Sequence, residues 1–407
     1  MARGTRHTGI VAVMAMALAP VGASSWVSAH SPGALAQEPA KAQPEAPPAE
    51  ETPQSSPVNE LLIKGRALVT EKRFGEAEAE YRNALKLDPD NADVHFALAD
   101  LMEKTERGAE ATAELERVVK NRPNLATARA RLGYLHYQNQ NLELAISFFR
   151  EALRLRPRDA STCNNLGMAL YDKGLSDEAA EQFRAAIAIR PDYGLAHTNL
   201  GVVLSLRGKN AEAAEEFRRA LEIDAGDPAA HNGLGASLEK IGNMDAAIAS
   251  YRKALSLNPN YTDAGFNLGN ALRVKGQVEE AITHLETVVR ARPQDAGAQF
   301  SLAVAHESKG ETREAAAGFL KALELDPNHV EAHNHLGVLL HRSGNLSSAV
   351  EQYTAAVVLQ PENGQLHQNL AAALHQQGRV PEALAAYQRA CQLGMHESCK
   401  RIQPAAR

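Results

Sequence analysis

Several site-building residues are scarce in this sequence. Aromatic residues make up only 5% of it, which argues against a surface for stacking bases. The single tryptophan, Trp26, stands near the N-terminus. There is no basic excess: 43 lysines and arginines face 49 aspartates and glutamates, for a formal charge of −6. Nucleic acid is therefore disfavoured as a main ligand. Cysteine occurs three times, as Cys163, Cys391 and Cys399. None of them follows the apolar N-terminal run, so no lipoprotein anchor is expected. Catalytic signatures are missing too. Gly233-Leu234-Gly235 is followed by no Lys-Ser/Thr pair and preceded by no strand pattern, so it is no phosphate loop, and no nucleophile elbow appears.

What the sequence has instead is a repeat. Residues 160–193, ASTCNNLGMALYDKGLSDEAAEQFRAAIAIRPDY, return 34 residues later as GLAHTNLGVVLSLRGKNAEAAEEFRRALEIDAGD. Ten tandem copies run from Val58 to Glu397. Self-similarity at a fixed period names an architecture before any local pattern does. It overrides the length prior of about 150 residues per domain.

The unit can be numbered from Ala160. Leu166 (position 7) and Leu170 (position 11) share one helix face. Ala179 (position 20), Phe183 (position 24) and Ala186 (position 27) share a face of a second helix. Gly174 (position 15) ends the first helix, because glycine takes the left-handed cap conformation cheaply. Pro191 (position 32) ends the second. The spacing therefore predicts helix, turn, helix, turn. Position 20 is alanine in all ten copies, from Ala77 to Ala383, and position 8 is glycine in seven and alanine in three (Ala99, Ala303, Ala371). Small residues there are expected where two helices cross closely. Positions 24 and 27 trade volume: eight copies pair an aromatic with alanine, and two pair leucine with valine (Leu115 with Val118, Leu285 with Val288). The first three copies lack the turn glycine and carry Lys72, Glu106 and Gln140 instead. They are expected to be the irregular end, with Gly108 supplying the second copy's turn two residues late.

This pattern resembles the tetratricopeptide repeat, over 340 of the 407 residues. The resemblance implies an all-α, right-handed superhelical solenoid whose concave groove is lined by the first helix of each pair. One helix pair cannot bury its apolar face alone, so the copies must stack. Near the end, Cys391 and Cys399 flank Gly394 and resemble the cysteine pair of Sel-one-like repeats. That likeness implies a disulfide stapling a short terminal helix onto the stack; two free thiols are the alternative. Cys163, at position 4, reads as a small buried hydrophobe.

Residues 1–36 read as an export signal. Arg3 and Arg6 precede an apolar core, Ile10 to Ala19, closed by Pro20. Small-residue cleavage sites follow at Val27-Ser28-Ala29 and Ala34-Leu35-Ala36. An uncleaved anchor is the alternative, weakened by Ser24 and Ser25. The chain is expected to be periplasmic or secreted. Residues 37–57, rich in Pro, Ala and Glu, read as an extended linker. Residues 398–407 read as a cap and tail.

Three constellations bear on function. Position 6 carries Asn165, Asn199, Asn267 and Asn369, with Gly233, Ser301 and His335 between them. An amide both donates and accepts, so such a row can bond a peptide backbone whatever its side chains. The repeats of O-linked N-acetylglucosamine transferase carry a similar asparagine ladder, which these four residues match; bonding between neighbouring helices is the other role open to them. A clamp for a peptide's C-terminal carboxylate would need cations at positions 2 and 6, and Arg131 stands alone. Histidines gather late, at His329, His333, His335, His341, His367 and His375. His333 and His367, with His197 and His231, all fall at position 4, so the repeat accounts for them, and no metal or cofactor is expected. The chain is expected to be a non-catalytic scaffold or adaptor for proteins or peptides in an envelope assembly. The ten residues after Glu397 leave no room for a catalytic domain in this sequence. Two alternatives are work beside a separate catalytic chain, such as a glycosyltransferase or exopolysaccharide machine, and a receptor for a glycan or small molecule. The receptor would use Tyr134, Tyr171, Phe266 and Phe300.

Overall fold

The computed structural model describes residues 56–402. The signal-like segment and most of the linker lie outside the described residues. Ser56 and Pro57 are the exceptions: Ser56 is the N-cap of a helix and Pro57 occupies its first turn, where its missing N–H costs nothing.

The first unit pairs α1 (Pro57–Thr70) with α2 (Phe74–Leu87), and the second pairs α3 (Ala92–Lys104) with α4 (Gly108–Asn121). The third holds α5 (Ala126–Gln138) and α6 (Leu142–Leu155), and the fourth α7 (Ala160–Asp172) and α8 (Ser176–Ile189). Next come α9 (Gly194–Leu206) and α10 (Asn210–Ile223), then α11 (Pro228–Lys240) and α12 (Met244–Leu257). The seventh unit is α13 (Thr262–Val274) with α14 (Val278–Ala291), the eighth α15 (Ala296–Lys309) with α16 (Thr312–Leu325). The ninth is α17 (Val330–Arg342) with α18 (Leu346–Leu359), the tenth α19 (Gly364–Gln376) with α20 (Val380–Gln392). A short α21 (His396–Ile402) follows. The described residues form helices and no strands.

Local signals set these boundaries. Position 34 starts several first helices: the side chains of Asn91, Asp159, Asp227, Asp295 and Asn363 accept from backbone N–H groups in the following turn. At position 15 the chain turns left-handed, with φ between 74° and 86° at the glycines from Gly174 to Gly378. The expected irregularity of the first three copies is not found. Lys72, Glu106 and Gln140 take the same left-handed conformation, at φ 61°, 60° and 60°. Gly108 does not make the turn; it is the first residue of α4.

Inside each unit, close crossing governs the core. The ten position-20 alanines are fully buried. At position 8 the glycine lies under the ring at position 24: a Cβ on Gly167 would stand 2.6 Å from the Phe183 ring, and one on Gly337 2.7 Å from Tyr353. The ring at position 24 thus packs on the first helix of its own unit, in addition to its volume trade with position 27.

Every helix packs on the ones before and after it, and successive first helices also touch, as α9 does α11 and α13 does α15. Among the described residues, no two successive second helices meet to that extent. The first helices therefore lie on the shorter, inner path and the second helices on the outer one. The last unit ends differently. Gly394, at φ 90°, stops α20, and Met395 follows it where most units carry proline. The disulfide between Cys391 and Cys399 then holds α21 against α20, with Ser398 buried and Ile402 packed on the Tyr353–Tyr387 cluster. Cys163 is free and buried, and burial pushes its thiol up to about 11.

Candidate peptide-binding groove

Side chains at positions 5, 6, 9, 12 and 13 of the first helices meet across units and line the inner face. For the amide pairs the register is 34 plus one: position 6 of one unit reaches position 5 of the unit before. Asn199 Nδ2 donates to Asn164 Oδ1 at 3.0 Å, Asn267 Nδ2 to Asn232 Oδ1 at 3.1 Å, and Asn369 Nδ2 to Asn334 Oδ1 at 2.8 Å. Three of the four position-6 asparagines therefore bond neighbouring helices. Asn199 is fully buried, so in this packing its amide does not reach the groove. Asn165, Asn267 and Asn369 are half-buried. Asn369 also accepts from Gln365 at 2.9 Å. Reading position 6 alone missed the other half of each pair, at position 5. The signal lies in the sequence as an i, i+35 recurrence of asparagine.

The row breaks at Gly233 for a steric reason. Phe217, from the preceding unit, lies where an added Cβ would come within 2.3 Å of its ring. At the next interruptions Ser301 is buried, and His335 bonds Glu307 through Nδ1 at 2.7 Å while packing on Phe300 and Phe319. His335 is thus half-buried and engaged by a carboxylate from the unit before it.

Charges on the inner face are mostly paired. Arg131 bridges Asp100 and Glu103 and lies over the Phe96 ring at 4.7 Å, which spends the one cation that a carboxylate clamp could use. Asp172 accepts from the Tyr137 hydroxyl at 2.6 Å, and Glu239 from Tyr251 at 2.9 Å. Burial raises both carboxyl groups above their usual range, against the pull of those hydroxyls. Burial also lowers the Arg273 guanidinium, with Glu307 opposing. Of the aromatic candidates, Phe300 is buried against His329 and Phe319, whereas Tyr134, Tyr171 and Phe266 remain half-buried. The late histidines do not converge: among the described residues no group of three or more His, Cys, Asp or Glu side chains is placed to hold a metal.

Arrangement and sequence place the chain in a known class. Tetratricopeptide-repeat profiles match residues 68–133, 126–159, 164–228 and 228–261, then 266–330, 308–363 and 337–398. The chain belongs to the tetratricopeptide repeat family, and its repeats make it a protein-interaction scaffold. No curated protein is similar enough to match it. Among solved structures, YrrB, a tetratricopeptide-repeat protein with an unusual peptide-binding site, is 24% identical over 45% of this chain and 95% of its own, with a TM-score of 0.40. MamA from Desulfovibrio magneticus RS-1, from residue 41 to its end, is 27% identical over 42% of this chain and 96% of its own, at 0.40. The Cut9–Hcn1 hetero-tetramer of the APC/C is 13% identical over 86% and 97%, at 0.46.

Proposed function

We propose that the inner face of the solenoid holds an extended peptide or a partner helix, and that the protein is a non-catalytic adaptor in a cell-envelope assembly. The observation that carries the binding reading is the pair of half-exposed amide couples, Asn232 with Asn267 and Asn334 with Asn369. In each couple one bond fixes both side chains, which leaves further donors and acceptors oriented in advance. Oriented amides suit a peptide backbone and lower the ordering cost of binding. The export reading is supported by the signal-like residues 1–36 and by the Cys391–Cys399 bridge, since structural disulfides persist in oxidising compartments. Among the described residues no helix is long and apolar enough to cross a membrane.

An in-cell crosslinking pull-down tests this. The wild type is compared with a variant carrying Asn232→Ala, Asn267→Ala, Asn334→Ala and Asn369→Ala, with circular dichroism confirming the fold. Specific protein partners lost in the folded variant support the groove. The same partners retained at the same level contradict it.

A further inference from the structure

Position 4 of the first helix carries a joint between units. There the side chain reaches back to the backbone carbonyl at position 32 of the preceding unit. His95 Nε2 lies 2.9 Å from the Pro89 oxygen, His197 Nε2 3.0 Å from Pro191, His333 Nε2 3.0 Å from Pro327, and His367 Nε2 2.9 Å from Pro361. His231 makes a longer contact, 3.2 Å, to Ala225. The second ring nitrogen separates these sites into kinds. At His197, Nδ1 meets Glu216 Oε2 at 2.7 Å, and at His95, Nδ1 meets Glu114 Oε2 at 2.5 Å. At His333 it meets the neutral amide of Gln352, which can turn to accept or donate.

A carbonyl oxygen only accepts, and so does an ionised carboxylate. A ring held between the two must carry a hydrogen on each nitrogen, and is then an imidazolium. Arg129 makes the same joint with a permanent cation: its guanidinium donates to Glu151 at 2.7 Å and to the Pro123 carbonyl. His197 is 7% exposed, so water does not replace a lost partner cheaply. Its neighbours on α9 bond to other first helices and their caps. Asn199 bonds Asn164 on α7, and Thr198 donates to Asp227 at 3.0 Å.

We propose that the joint between the fourth and fifth units is a proton-dependent hinge, in which protonated His197 clamps the Pro191 turn to Glu216 and its deprotonation frees that turn and loosens α9 in the inner row. The charged groups that face the ring are Glu216 and Arg219, both on α10; the α8–α9 turn offers the Pro191 carbonyl, and its Arg190 is stacked on Tyr193 instead. The Glu216 bond raises the His197 pKa above its ordinary value against the opposing effect of burial; the Pro191 carbonyl and the Glu216 charge add to it and Arg219 subtracts. A raised folded value makes the clamp fully present below the unfolded value of about 6.5 and removes it as pH rises through the folded one.

The test uses the full chain labelled with ¹⁵N-histidine, titrated by NMR from about pH 5.5 to about pH 8.5. His197→Gln assigns the signal. The expected result is a His197 ring protonated on both nitrogens at about pH 6.5, titrating above that value, with Glu216→Gln lowering the midpoint so that protonation weakens about tenfold. Hydrogen exchange, corrected for intrinsic rates, supplies the second readout. Protection of residues 190–196 should fall several-fold from about pH 6 to about pH 8, while the Arg129 joint at residues 122–128 stays constant. A His197 ring with a single proton at about pH 6, or the same pH trend at both joints, overturns the hinge.

Discussion

Ala303 and Gly318 show how tightly one residue constrains another in this chain. Most units place glycine at position 8 because the ring at position 24 lies directly on it. The eighth unit has alanine there and still carries Phe319. Its neighbour at position 23 is Gly318, and a Cβ added to that residue would stand 2.7 Å from the Ala303 Cβ. The tenth unit follows the same rule, with Ala371 at position 8 and Ala386 at position 23, whereas units with glycine at position 8 carry Gln182, Glu216 or Ser250 there. The second unit resolves the crowding differently, with Leu115 in place of a ring opposite Ala99. Gly318→Ala should therefore cost about 1–3 kcal/mol by overpacking, and Ala303→Gly in the same chain should recover most of it. A double-mutant cycle on urea midpoints checks this; additive effects would mean the two positions do not share a packing site. The volume trade between positions 24 and 27 was legible in the sequence, because both lie on one helix face. The coupling of positions 8 and 23 crosses two helices and stands on two of the ten units, the eighth and the tenth, so periodicity alone could not expose it.

At the scale of helices and turns, the 34-residue period placed the ten helix pairs in register with the structure, and the turn glycines marked where first helices stop. The first three units, expected to be irregular for want of that glycine, make the same turn without it. Lys72, Glu106 and Gln140 hold φ near 60° because the helices on both sides are fixed by packing, and tertiary context overrides the local preference. The conformation still carries a cost of about 1–2 kcal/mol for a residue with a Cβ. Gln140→Gly should thus raise stability by about 0.5–1 kcal/mol, after subtracting the greater entropy glycine loses on folding. A lowered denaturation midpoint would show that the Gln140 side chain contributes something the backbone argument omits. At the other end, the cysteine pair correctly marked a stapled terminal helix. Its helix α21 spans only seven residues, too few to hold its place without the bridge and the contacts of Ser398 and Ile402.

For the whole molecule, the architecture was legible and the groove only half so. Identical units stacked at a constant step must form a solenoid, and the direct meeting of first helices decides which side is inner. Which side chains meet across units depends on that step, and the step is a property of packing. Positions 5 and 6 are neighbours in sequence, but Asn232 bonds Asn267, 35 residues on. The asparagines that the repeat pattern singled out are consequently part scaffold and part groove, with Asn199 wholly buried and Asn267 and Asn369 half-exposed beside their partners. The central claim is that partners lie along the first helices. Its most direct test is site-specific photocrosslinking in cells, with the crosslinker placed at Ser205 on the inner face of α9 or at Arg184 on the outer face of α8. A discrete protein adduct is expected from Ser205 and none from Arg184. An adduct from Arg184 with none from Ser205 would contradict the claim and move the binding surface to the outer helices.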